Sequence, residues 1–94
     1  MKIGDLVLKI NSTLEQEIQD IKSNSFITAV KINGYKKMGL IPDLKKATGK
    51  NYSEYSEFHF TLILIAYKKI VLNRIRTRDA FEQALEEIRA PSFL

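Results

Sequence analysis

The chain reads as an all-α protein, a small helical bundle of about four helices with a long central apolar helix. Three observations predict this. Ile3, Val7, Ile10, Leu14, Ile18 and Ile21 recur at spacings of three and four, which places them on one stripe of a helix. Phe81, Ala84, Leu85 and Ile88 recur in the same way near the other end of the chain. Between these stripes, residues 58–72 read FHFTLILIAYKKIVL, apolar on more than one face, as in a helix surrounded by packing partners.

The first helix is expected from Gly4 to Lys22. Ser12-Thr13-Leu14-Glu15 has the spacing of a capping box, but the apolar stripe runs straight through it. Ser23-Asn24-Ser25 is a polar break. Residues 26–41 carry two readings, both of which turn at Asn33-Gly34. In the favoured one, a helix over 25–33 is followed by another starting near Tyr35. The alternative is an α+β fold with a β-hairpin at 26–41, since Phe26–Ile32 is rich in β-branched residues and Asn-Gly suits a type I′ turn. Against the hairpin, its register sets Lys31 opposite Lys36, where like charges repel.

Pro42 fits a first helical turn, so Ile41-Pro42-Asp43-Leu44 is expected to open a short helix that ends at Gly49. Asn51 with Glu54 three residues on has N-cap spacing, predicting that the long apolar helix starts near Tyr52 and runs to Asn73. A last helix is expected from Thr77, closed by Ala90-Pro91. With 94 residues and no linker or repeat, residues 1–94 are expected to form a single domain.

Composition bounds the chemistry. The chain has no cysteine and one histidine, which removes disulfides, thiolate zinc sites and a cysteine nucleophile, and argues against a protein-only metal site. The apolar run is interrupted by Lys68 and Lys69 before reaching the ~20 residues a membrane span needs. Residues 1–24 carry acids among their apolar positions, unlike a secretory signal, so a cytoplasmic location is expected. No G-x-G-x-x-G or phosphate-binding loop occurs. His59 has Ser53, Ser56 and Glu57 near it in sequence but in no diagnostic spacing for nucleophilic catalysis. No catalytic residue, cofactor, metal or small-molecule substrate is expected, and the protein is not expected to be an enzyme.

The formal charge of +4 is segregated. Residues 31–50 hold six lysines against Asp43 alone, and residues 68–78 hold five basic residues and no acid. Segregation suits either an anionic partner or pairing between acidic and basic helices. The stretch from Leu44 to Tyr55 resembles a helix-turn-helix, with Leu44, Gly49 and Phe58 at its apolar, turn and anchor positions. It departs from the motif at Lys45, where a small residue belongs, and at Tyr55, where an aliphatic one packs. The segment KKMGLIPDLKKATG, residues 36–49, is also similar to the first helix of the bacterial ribosomal stalk protein's C-terminal domain, but the glycine-rich continuation is missing and no function is carried over.

Two expectations of function result. The leading one is a non-catalytic regulatory or assembly protein acting by helix-mediated protein–protein interaction, with a protein partner or as a homo-oligomer, packing through Phe58, Leu62, Ile65 and Leu72. The alternative is a small DNA-binding regulator using a degenerate helix-turn-helix at 41–58, with nucleic-acid contacts from Lys45, Lys46, Lys50, Tyr52, Ser53, Arg74, Arg76 and Arg78.

Overall fold

A computed structural model of the chain describes residues 1–42, 44–46 and 53–89. The fold class is all-α, with α1 at Ile3–Glu17, α2 at Ala29–Lys37, α3 at Glu57–Asn73 and α4 at Thr77–Arg89 among the described residues. A 3₁₀ turn at Ser23–Ser25 lies between α1 and α2, and a two-residue antiparallel ladder pairs β1 (Lys45–Lys46) with β2 (Ser53–Glu54). Two compact units divide the chain at Met1–Phe60 and Thr61–Leu94, the boundary falling inside α3.

In the first unit, α1 runs through the capping-box sequence as its stripe requires. Thr13 Oγ1 donates back to the Lys9 carbonyl at 2.9 Å, so the hydroxyl is satisfied within the helix rather than capping a new one. Leu6, Ile10 and Leu14 are fully buried, while Ile3 and Val7 are half-buried, so the buried stripe begins one residue off the expected one. The helix stops at Glu17, five residues short of Lys22, with Ile18 extended and Asp20 left-handed at φ 58°. Its last turn holds no basic residue, while Glu15 and Glu17 sit at the negative end of the helix dipole. That acidic end opposes continuation, although Ile18 and Ile21 remain half-buried.

Residues 26–41 form neither a hairpin nor two helices broken at Asn33-Gly34. One helix, α2, passes through that pair and packs on α1. Thr28 caps it by accepting from the Lys31 N–H at 3.3 Å. Ile32 and Tyr35 are buried, three residues apart on one face, and burying them outweighs the turn preference of Asn-Gly. The break comes at Gly39 instead, which is left-handed at φ 74°. Gly39 N–H reaches the Lys36 carbonyl at 3.0 Å and Leu40 N–H the Tyr35 carbonyl at 3.1 Å, the paired bonds of a Schellman cap.

These two glycines predict effects of opposite sign. At Gly34 nothing lies within 4 Å of an added Cβ and the backbone is helical, so Gly34→Ala is expected to stabilise by about 1 kcal/mol. Space is equally open at Gly39, but its φ is positive, so Gly39→Ala is expected to destabilise by about 1 kcal/mol. Urea denaturation midpoints of the two variants, compared with the parent chain, check both signs.

The short helix expected after Pro42 is absent from the described residues. Ile41 and Pro42 turn, and Lys45–Lys46 are extended in the ladder, with Lys45 opposite Glu54 and Lys46 opposite Ser53. The ladder leaves no helix at 45–46 or 53–54, two parts of the helix-turn-helix expected at 41–58, and residues 43 and 47–52 of that segment lie outside the described residues. The expected helix end at Ala47–Gly49 and the expected cap at Asn51 lie outside the described residues. The helix expected to start near Tyr52 begins at Glu57, since Ser53–Glu54 pair as a strand and Ser56 immediately precedes the first helical residue.

In the second unit, Leu62, Ile63, Leu64, Ala66 and Tyr67 of α3 are all buried. α3 ends at Asn73, where Arg74 turns left-handed at φ 54° and Ile75 N–H returns to the Lys69 carbonyl at 3.3 Å. α4 follows at once, with Asp79 in its first turn and Ala80, Phe81 and Ala84 buried. Lys69 and Glu87 join α3 to α4 by an ion pair at 2.8 Å. A partly exposed pair of this kind contributes less than about 1 kcal/mol.

Candidate functional site

His59, the one histidine and the leading candidate for a reactive group, is built into the start of α3. Ser56 immediately precedes the helix, and its carbonyl accepts the first helical bond from Phe60 N–H at 3.0 Å. His59 is the third helical residue, and its Nδ1 accepts from Ser56 N–H at 3.0 Å, with Ser56 Oγ 3.1 Å away. This is the reciprocal half of a capping box, with imidazole where glutamate or glutamine usually stands. On the other side of the ring, Nε2 lies 2.7 Å from the Pro42 carbonyl oxygen. A carbonyl can only accept and an amide N–H can only donate, so the ring is neutral with its proton on Nε2.

The ring is 97% removed from solvent, being 3% exposed, and the Tyr55 and Phe58 rings meet it edge-on with centroids 5.9 Å and 5.4 Å away. Both ring nitrogens are thus committed to main-chain groups. His59 pins the first turn of α3 to the turn at Pro42.

The packing residues singled out from sequence separate by position. Leu62 is fully buried, Phe58 and Ile65 are half-buried, and Leu72 is 56% exposed. Phe58 lies in the first unit beside His59. Ile65 and Leu72 lie in the second unit, where they line one shallow groove with Lys68, Lys69, Asn73 and Glu87. The groove therefore combines aliphatic side chains with charged ones, and a large aliphatic residue stands open to solvent at its edge.

The residues proposed for nucleic acid are not gathered on one helix. Lys50 and Tyr52 lie outside the described residues. Lys45, Lys46 and Ser53 belong to the ladder by their main chains. Arg74, Arg76 and Arg78 are exposed where α3 passes into α4. No recognition helix forms at 53–56, so this part of the chain offers no helix for entering a major groove.

Sequence reasoning missed one polar contact of consequence. Asn11, in the middle of α1, donates from Nδ2 to the Ile27 carbonyl at 3.0 Å and accepts the Ile27 N–H on Oδ1 at 2.9 Å. Its side-chain amide pairs with that peptide as a neighbouring strand would. No local signal in the sequence points to this contact, because Ile27 lies 16 residues from Asn11.

Among the described residues no group of histidine, cysteine, aspartate or glutamate is arranged to hold a metal, and no helix is long and apolar enough to cross a membrane. Comparison of the chain with protein-family models, curated proteins and solved structures finds no match. The functional reading therefore rests on the chain's own surface.

Proposed function

We propose that the protein is a non-catalytic interaction module that binds another protein chain through the groove on α3 around Leu72. The observation that carries this is Leu72, a large aliphatic side chain 56% exposed on the most apolar helix of the chain, beside half-buried Ile65. A single exposed leucine is ordinary on a protein surface. This one lies in a groove that it and Ile65 line together with Lys68, Lys69, Asn73 and Glu87, so an apolar contact made there would have charged side chains around it, as interface contacts do at their rim.

Fully burying one leucine contributes about 1.5–3 kcal/mol, and 1.4 kcal/mol is about tenfold in affinity. Leu72→Asp is therefore expected to lower recovery of proteins that co-purify with the chain from its native cells by about tenfold. Because the side chain is exposed, the same variant is expected to shift folding stability by less than about 0.5 kcal/mol. Equal recovery with the parent and variant chains overturns the proposal.

A further inference from the structure

Two isoleucines of the first apolar stripe lack the role their spacing predicts. Ile18 and Ile21 continue the period of Leu14, but α1 ends at Glu17 before either is reached. Both stay half-buried, and with half-buried Phe26 they line a groove at the end of α1 whose other walls are Glu15 and Asp20. All five residues belong to the first unit.

The charge of this groove has one sign. Glu15 and Asp20 are exposed carboxylates, and no lysine or arginine lines the groove with them. Lys22, the nearest cation in sequence, is exposed and is not part of the lining. Among the described residues neither Glu15 nor Asp20 forms an ion pair, so neither charge is already committed. The last turn of α1 holds no basic residue either, so the negative end of the helix dipole adds to the same field.

This combination selects the chemistry of an occupant. Two carboxylates repel the phosphates of nucleic acid and of anionic lipid, which removes both as ligands. Three large apolar side chains give nothing to a bare cation but do contact a hydrocarbon stem. Lysine and arginine supply both parts, since their stems lie along apolar surface while their charged heads reach outward. We infer that this groove docks a segment of another protein that carries lysine or arginine beside an aliphatic side chain. It is a second interaction surface, on different residues from the groove around Leu72 and independent of it.

The test is fluorescence anisotropy of the full chain with three labelled synthetic peptides of equal length, in which lysine alternates with leucine, glutamate with leucine, and lysine with serine. The lysine–leucine peptide is expected to bind at least about tenfold more tightly than either of the others, and its affinity is expected to fall with added salt. Glu15→Gln combined with Asp20→Asn is expected to weaken that peptide by about five- to tenfold. Both positions are exposed, and asparagine tolerates the left-handed backbone of Asp20, so the fold is retained. Asp5→Asn is the control. It removes a carboxylate from the far end of α1, about 15 Å from Glu15 and beyond the screening length, and is expected to leave the affinity unchanged.

Binding that ignores Glu15→Gln with Asp20→Asn, or that falls equally with Asp5→Asn, overturns the inference. So does equal binding of the glutamate–leucine peptide, or of the lysine–serine peptide, which would show that the acids act without the apolar wall. Loss of the lysine–leucine peptide with Leu72→Asp places it in the other groove and likewise overturns the inference. Self-association of the parent chain that Glu15→Gln with Asp20→Asn abolishes makes the occupant a second copy and contradicts the choice of another protein. None of these results bears on recovery of partners by Leu72→Asp, so the two surfaces stand or fall separately.

Discussion

Asn11→Ala is expected to destabilise the chain by about 3 kcal/mol, since each partly buried peptide group left unsatisfied costs about 1–3 kcal/mol. The substitution strands both the N–H and the carbonyl of Ile27, whose side chain is 1% exposed. A change of that size lowers the thermal midpoint by roughly 10–20 °C in a domain of this length. Asn11→Asp separates hydrogen bonding from shape. Its carboxylate still accepts from Ile27 N–H but sets a second acceptor against the Ile27 carbonyl, so it is expected to rescue little. A thermal melt of Asn11→Ala within a few degrees of the parent contradicts the assignment.

His59→Leu is expected to cost about 3 kcal/mol for a related reason, because it preserves apolar volume but abandons the Ser56 N–H and the Pro42 carbonyl. His59→Gln is the informative companion. A glutamine oxygen at the third helical position can accept from the cap residue, as in an ordinary capping box, but the side chain cannot also hold Pro42. The expected stability order is parent, then Gln, then Leu, with Gln recovering about 1 kcal/mol of the loss. Denaturant midpoints establish that order. Equal loss in both variants shows that the Nδ1 bond contributes nothing.

Both effects come from side chains that bond to main chain, which explains how differently they were legible in the sequence. Ser56-x-x-His59 has local capping spacing and could be read as such once imidazole is allowed in the role of glutamine. Asn11 could not, because its partner Ile27 is 16 residues away and nothing in the spacing of α1 points to it. The stripes of α1 and α4 were readable because burial of Leu6, Ile10, Leu14, Phe81 and Ala84 imposes the helical period directly. The end of α1 was less so, since the apolar stripe continues to Ile21 while the acidic end and the left-handed Asp20 terminate the helix.

The middle of the chain misled for identifiable reasons. Asn33-Gly34 is a strong local turn signal, yet Ile32 and Tyr35 on one helix face win by burial, and the actual left-handed position is Gly39, five residues on. Pro42 was compatible with a helix start and equally with the turn it occupies, where its carbonyl is held by His59. The candidate surface was half legible. Its apolar residues were named from the run between Phe58 and Leu72, but Leu62 and Leu72 share a helix and end in opposite environments, 0% and 56% exposed. Sequence period alone does not say which part of a helix that is apolar on several faces stays uncovered.

The most direct test of the interaction surface is photo-crosslinking in living cells from position 72, with a second chain carrying the crosslinker at exposed Gln19 as the control. The interaction reading predicts a discrete protein adduct from position 72 and none of equal yield from position 19. No adduct at 72, or the same adducts at both positions, contradicts it.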